Sequence, residues 1–268
     1  MLNDITLGQY FPGTSFVHRL DPRTKILLVI AMIVLIFAAT DFMAYGVLSV
    51  FFIFIVLLSR LSFIRILKSV KPLWPIIIIT MLIHMFSHEG ELLYQFYIFK
   101  ITKEGLLEGF LMVTRLVFLI LFSSILTMTT SPLELTDGLE KLLKPFKKIG
   151  LPAHELAMMM TIALRFIPTL LSETERIMMA QSARGADFSG GSIKKKAKNI
   201  LSLIVPLFLS AFRRADELAT AMEARCYRGG EGRTRMYQLA FGMIDGVAVV
   251  VVACVGALMF FAKYYGTL

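Results

Sequence analysis

From Ile26 the chain reads ILLVIAMIVLIFAA, then Thr40 and Asp41, then FMAYGVLSVFFIFIVLL up to Leu58. These two apolar runs, split by only two polar residues, constrain the fold more than any other feature. Lipid offers no water to hydrogen-bond an exposed backbone, so each run must form a helix that satisfies its own N–H and C=O groups. The short break makes the pair an antiparallel helical hairpin. The 14 residues of the first run rise only about 21 Å as a helix, against a hydrocarbon core of about 30 Å. That run must therefore borrow flanking residues or thin the bilayer. Three further spans follow: 73–86, opened by Pro72 and Pro75, then 104–130, and a last one within 236–268 from about Tyr237 to Ala262. The sequence thus predicts an all-α membrane protein with about five transmembrane helices. An apolar content of 57%, above the roughly 45–50% of soluble domains, agrees.

The chain is also basic, with 28 Lys and Arg against 19 Asp and Glu, and the cations are unevenly placed. Residues 1–25, 59–71 and 131–235 hold 24 of them; the opposite side holds Lys100, Lys103 and Lys263, and Arg115 lies within a span. The positive-inside rule puts the N-terminus and region 131–235 in the cytoplasm and the C-terminus outside. Membrane topology thereby accounts for the charge without a nucleic-acid partner. The opening MLNDITLGQYFPGTSF lacks a basic segment leading into an apolar run, so the first span is expected to act as an uncleaved signal. Cys226 and Cys254 form neither a disulfide framework nor a metal-ligand spacing.

Region 131–235 has spaced rather than continuous apolar residues and reads as one short and two long amphipathic helices, about 132–144, 153–184 and 193–228. Leu156, Met160, Ala163, Ile167 and Leu170 form a stripe on the second; Ile200, Leu203, Ile204, Leu207 and Phe208 form one on the third. Each long helix carries an internal proline, Pro168 or Pro206, and ends in an Ala-Arg pair: Ala183-Arg184-Gly185 and, 41 residues on, Ala224-Arg225-Cys226. An arginine in a last turn suits the negative end of its own helix dipole. Two copies suggest more: each tip projects a planar, permanently charged fork that matches carboxylates or carbonyls on a partner.

The stretches YFPGTSFVHRLDPRTK (10–25), ALRFIPTL (163–170), QSARGADF (181–188), AMEARCYRG (221–229) and EGRTR (231–235) make the chain resemble the transmembrane T component of energy-coupling-factor (ECF) type ABC importers. The resemblance covers nearly the whole chain. It implies a non-catalytic scaffold in the bacterial plasma membrane, coupling ATP hydrolysis by two cytoplasmic ABC ATPase subunits, a heterodimer, to uptake of a vitamin or micronutrient. It implies that Ala183, Arg184 and Gly185, and Ala224, Arg225 and Cys226, dock the two ATPases. A separate membrane substrate-binding S component, exchangeable among several, completes the machine, and Met158, Met159, Met178 and Met179 suit its contact surface because methionine adapts to varied partners. ATP and magnesium belong to the ATPases; this chain is expected to bind no cofactor. The second motif departs from the family pattern at Cys226, where glycine is usual. Cysteine resists positive φ, so the helix there is expected to run on toward Gly229.

Other features are weaker. No Walker A pattern is present, and Ser-Gly-Gly within SGGSIKKK reads as a basic linker. His84 and His88, four apart, read as interfacial histidines rather than a metal site. Arg115 and Asp245 lie within predicted spans at similar computed depth, which suggests an intramembrane pair. A secondary transporter would need more polar groups at the midplane, and a lipid-modifying enzyme would have only HRLDPRTK to work with.

Overall fold

The computed structural model describes residues 10–87, 91–96, 99–188, 190, 192–229 and 239–266. His88 and the EGRTR stretch fall outside the described residues. The elements are α1 (Phe16–Arg19), α2 (Pro22–Ala38), α3 (Phe42–Ser59), α4 (Phe63–Lys68), a 3-10 turn (Lys71–Leu73), α5 (Trp74–Ser87), strands β1 (Leu92–Phe96) and β2 (Phe99–Thr102), α6 (Lys103–Thr129), α7 (Pro132–Leu143), a 3-10 helix (Lys144–Ile149), α8 (Ala153–Ala183), α9 (Ile193–Ala224) and α10 (Met243–Gly266). The architecture is that of an all-α membrane protein, interrupted among the described residues only by the antiparallel β1–β2 hairpin.

Five helical stretches are long and apolar enough to cross a membrane: Phe42–Ser59, Phe63–Ser87, Lys103–Thr129, Ala153–Ala183 and Met243–Ala262. The set differs from the sequence expectation in two places. Helix α2, at 17 residues, rises about 25 Å and falls just short. Helix α8 qualifies on length and apolarity, although Glu173, Glu175 and Arg176 interrupt its second half.

The chain divides into two compact units, Leu139–Gln238 and Gly8–Gly138 with Leu239–Leu268. In the second of these, the buried centre is built from Met32 and Ile36 of α2, Leu48, Phe51 and Phe52 of α3, Phe118, Phe122 and Ile125 of α6, and Val252 and Met259 of α10. Phe52 meets Phe118 and Phe122 edge-on, with ring centroids 6.3 and 5.6 Å away, a favoured aromatic geometry. Helices α5 and α6 approach through Gly105 and Gly109 of the sequence GLLEG. A Cβ on Gly105 would lie 2.8 Å from the His84 carbonyl oxygen. Two glycines four apart that let helix backbones close together are a standard device of membrane helices, where apolar burial alone gives helices no reason to associate.

The ends of α1, α2 and α6 are tied by the HRLDPRTK stretch. Ser15 caps α1 and bonds His18 Nδ1 at 2.6 Å, while His18 Nε2 lies 3.0 Å from the Phe11 carbonyl oxygen. Lys25, only 5% exposed, donates to the His18 and Thr129 carbonyls, both at 3.0 Å. It thus satisfies carbonyls at the ends of α1 and α6 that no helix can satisfy for itself. Asp21 caps α2 and pairs with Arg23 at 2.8 Å, and the Arg23 guanidinium sits 3.9 Å above the Phe241 ring. Burial pushes the Asp21 carboxyl up, but hydrogen bonds from the Arg23 side chain and backbone outweigh it and hold the group below its usual value.

Arg115 and Asp245 do not pair. Arg115 donates to the Ala39 carbonyl at 2.9 Å and the Tyr45 hydroxyl at 3.2 Å, across the C-terminal end of α2. Asp245 accepts from the Asp21 and Gly242 backbone N–H groups at 2.9 and 2.8 Å, at the opposite end of α2. The depth estimate fails because the last helix begins at Met243, not near Tyr237, which makes Asp245 a first-turn capping residue. Each charge answers a helix terminus of the sign that suits it.

Candidate functional site

The two Ala-Arg tips lie in the Leu139–Gln238 unit, at the ends of α8 and α9. Within the unit the two helices touch, and Arg214 of α9 bonds Glu173 of α8 at 2.9 Å. Both helices run unbroken through their internal prolines.

The tips close in the same way. Arg184 and Arg225 are the C-caps, with φ, ψ of −88°, 9° and −90°, 14°. The next residue turns left-handed: Gly185 at φ 87° and Cys226 at φ 57°. Gly185 N–H donates to Ser182 O at 3.0 Å and Ala186 N–H to Gln181 O at 3.0 Å; Cys226 N–H donates to Glu223 O at 2.9 Å and Tyr227 N–H to Met222 O at 3.0 Å. Both patterns are the Schellman closure, in which a left-handed residue lets two N–H groups turn back onto the last carbonyls. The expected run-on of the second helix toward Gly229 is therefore wrong. Cys226 takes the left-handed conformation in spite of its Cβ, because two hydrogen bonds and the Tyr227 anchor described below hold the chain there.

Ala183, Arg184 and Gly185, like Ala224, Arg225 and Cys226, are exposed. Among the described residues neither guanidinium has a hydrogen bond or ion pair. Two permanently charged forks, each on a rigid backbone turn, are thus presented outward.

Side chains fasten each tip to the facing helix. At the first, Asn199 Nδ2 donates to the Asp187 carbonyl at 2.6 Å, and Gln181 Nε2 reaches the Ser202 carbonyl at 3.4 Å. At the second, the Tyr227 hydroxyl donates to Met158 Sδ at 3.0 Å and lies 3.5 Å from His154 Nε2, whose Nδ1 is 3.0 Å from Glu140. Nothing in the sequence spacing announces these pairs; only the antiparallel register of α8 and α9 makes them neighbours. The four methionines separate accordingly. Met158 is engaged by Tyr227 and half-buried, as is Met178, whereas Met159 and Met179 are 57% and 63% exposed. Among the described residues no cluster of His, Cys, Asp or Glu could hold a metal. His84 Nδ1 bonds the Thr80 carbonyl of its own helix at 2.9 Å.

Residues 13–236 match the family model described as CbiQ, cobalt transport protein. The match spans both tips and the HRLDPRTK stretch. The chain is 57% identical to the energy-coupling factor transporter transmembrane protein EcfT of Acidaminococcus fermentans, over 98% of both chains. It is 52% identical to EcfT of Thermosediminibacter oceani, over 96% of this chain and 98% of that one, and 47% identical to EcfT of Bacillus subtilis, over 98% and 100%. The chain belongs to the family of energy-coupling factor transporter transmembrane proteins. It is a multi-pass membrane protein of transport, and five of its helical stretches are long and apolar enough to cross a membrane.

Proposed function

We propose that this chain is the non-catalytic scaffold of an ECF-type ABC importer and couples two cytoplasmic ATPase subunits to a membrane S component that binds a vitamin or micronutrient. The observation that carries the reading is the pair of equivalent helix ends, each setting an exposed arginine, without a partner among the described residues, beside a rigid left-handed turn. Two like plugs fit a motor of two like subunits. A guanidinium fork in a groove finds carboxylates and terminal carbonyls. ATP and magnesium stay with the motor, whose opening and closing shifts the tips of α8 and α9 against each other. The exposed apolar face of α9, with Ile204, Phe208 and Phe212, and the exposed Met159 and Met179 suit a membrane partner that must be held yet exchanged. In this reading α8 and α9 lie at the cytoplasmic face, with the N-terminus on that side and the C-terminus outside; the ion pair Glu173–Arg214 is costly within lipid and ordinary at its edge.

The test is co-purification of the ATPase subunits with Arg184→Ala, Arg225→Ala and the double variant, alongside uptake in cells. The expected result is retention weakened by each single change and lost in the double, with the membrane protein still produced at normal level. Full retention and uptake in the double variant sinks the proposal.

A further inference from the structure

We infer that the 3-10 helix Lys144–Ile149 is a membrane-surface anchor that seats on the anionic phospholipid headgroups of the cytoplasmic leaflet. The inference rests on the sidedness proposed above but not on ATPase docking. The segment KPFKKI carries three lysines, follows Lys141 by three residues, and has no acidic residue between Lys141 and Leu151.

The geometry sorts these residues. A 3-10 helix has three residues per turn, so residues three apart line up in one row. Phe146 and Ile149 form an apolar row. Lys144 and Lys147 form the row on one side, and Lys148 with Pro145 the row on the other. Phe146 is 51% exposed and Ile149 82% exposed, and the three lysines are exposed too. Gly150, at φ 90°, ends the helix and fixes which way the rows face. Leu143, Gly150 and Leu151 extend the apolar row into a shallow notch.

Two large apolar side chains held in water between two rows of cations are costly for a soluble surface and fitting for an interface. The apolar row enters the boundary between headgroups and tails, and the stems of Lys144 and Lys148 extend sideways so that their ammonium groups meet phosphates. Apolar insertion and a basic patch together make the two-signal anchor that stable surface binding requires. The segment can reach the bilayer: the 12 residues of α7, about 18 Å of helix, lie between it and the end of α6. A protein groove is the rival occupant, but it would need acids of its own on both sides of the apolar row, whereas an anionic leaflet supplies the charge everywhere.

The experiment uses the full chain in lipid nanodiscs. Trp74, the single tryptophan, is replaced by Phe, and a probe is introduced as Phe146→Trp or, separately, Ile149→Trp. Quenching by lipids brominated on their tails is measured in phosphatidylcholine alone and with phosphatidylglycerol added. Quenching of both probes is expected, stronger with phosphatidylglycerol and weaker in high salt. Each of Lys144→Gln and Lys148→Gln should lower the seated-to-free ratio about fivefold in the anionic discs. Probes that stay unquenched in both lipids overturn the anchor. Quenching indifferent to phosphatidylglycerol and salt overturns the headgroup recognition. Probes shielded only once the ATPase subunits are added assign the surface to a protein and overturn the inference.

Discussion

Cys226 stands in a conformation that its neighbour motif gives to glycine, and replacing it tests the account of the tips. At φ 57° an L side chain pays about 1–2 kcal/mol for crowding against the following carbonyl. Cys226→Gly removes that cost and adds about 0.5–1 kcal/mol through the freer unfolded chain. The net gain is about 0.5–1 kcal/mol, which is about two- to fivefold in the local closing equilibrium. The reverse change is harsher. Gly185 sits at φ 87°, beyond the left-handed well open to L residues at about 50–70°. Gly185→Cys must rotate the turn or open it, costing about 1–2 kcal/mol, about five- to thirtyfold. The assay is amide hydrogen exchange on the full chain, read on peptides covering 181–188 and 222–229. Exchange at Tyr227, whose N–H closes the second turn, should slow two- to fivefold in Cys226→Gly, and that at Ala186 should quicken in Gly185→Cys. Faster or unchanged exchange at Tyr227 in Cys226→Gly would refute the argument that strain at Cys226 limits the cap.

Arg115→Leu leaves the Ala39 carbonyl without its charged donor and should cost about 1–3 kcal/mol of stability in detergent. Combined with Asp245→Asn, the two losses should add within about 0.5 kcal/mol, as for sites without shared partners; strong coupling in thermal unfolding would restore the pair that the structure separates. Lys25→Met should destabilise by a similar amount for each of the two carbonyls it abandons, read as a lower midpoint of thermal aggregation. Gly105→Leu should disrupt the seating of α5 on α6, since even a Cβ meets a backbone oxygen there; a cysteine crosslink between the two helices should lose yield, while an unchanged yield counts against the close contact.

What was legible in the sequence follows from period and charge. Apolar runs depend on the local chain and the bilayer alone, so they read directly. The paired Ala-Arg tips read because each is a local helix end. Arg115 misled because the helical start at Met243 is set by Asp245 and Gly242, a capping signal easily overlooked beside a continuous apolar run. The Gly105–Gly109 spacing was a readable signal for a helix contact that an emphasis on hydropathy passes over. The Lys25 knot, the Asn199–Asp187 contact and the Tyr227–Met158 contact depend on which residues far apart in sequence become neighbours, and no local pattern encodes that. Cys226 was misjudged for a related reason. Propensity counts the cost of a left-handed cysteine but not the tertiary anchor that offsets it.

That anchor also locates the difference between the tips. The backbone closure is the same at Arg184 and Arg225, so the closure cannot make one tip respond differently from the other. The fastenings can. The first tip is held by amide side chains on backbone carbonyls. The second is held by Tyr227 against Met158 and His154, and through Glu140 back to α7. Movement of α7 therefore reaches the second tip by a side-chain path, through Glu140, His154 and Tyr227. Tyr227→Phe removes the hydroxyl but keeps the ring, so it separates the fastening from the packing. Exchange should quicken over 222–229 while 181–188 keeps its wild-type rate. An equal change at both tips would mean that α8 and α9 loosen as one body and that the fastening carries no asymmetry.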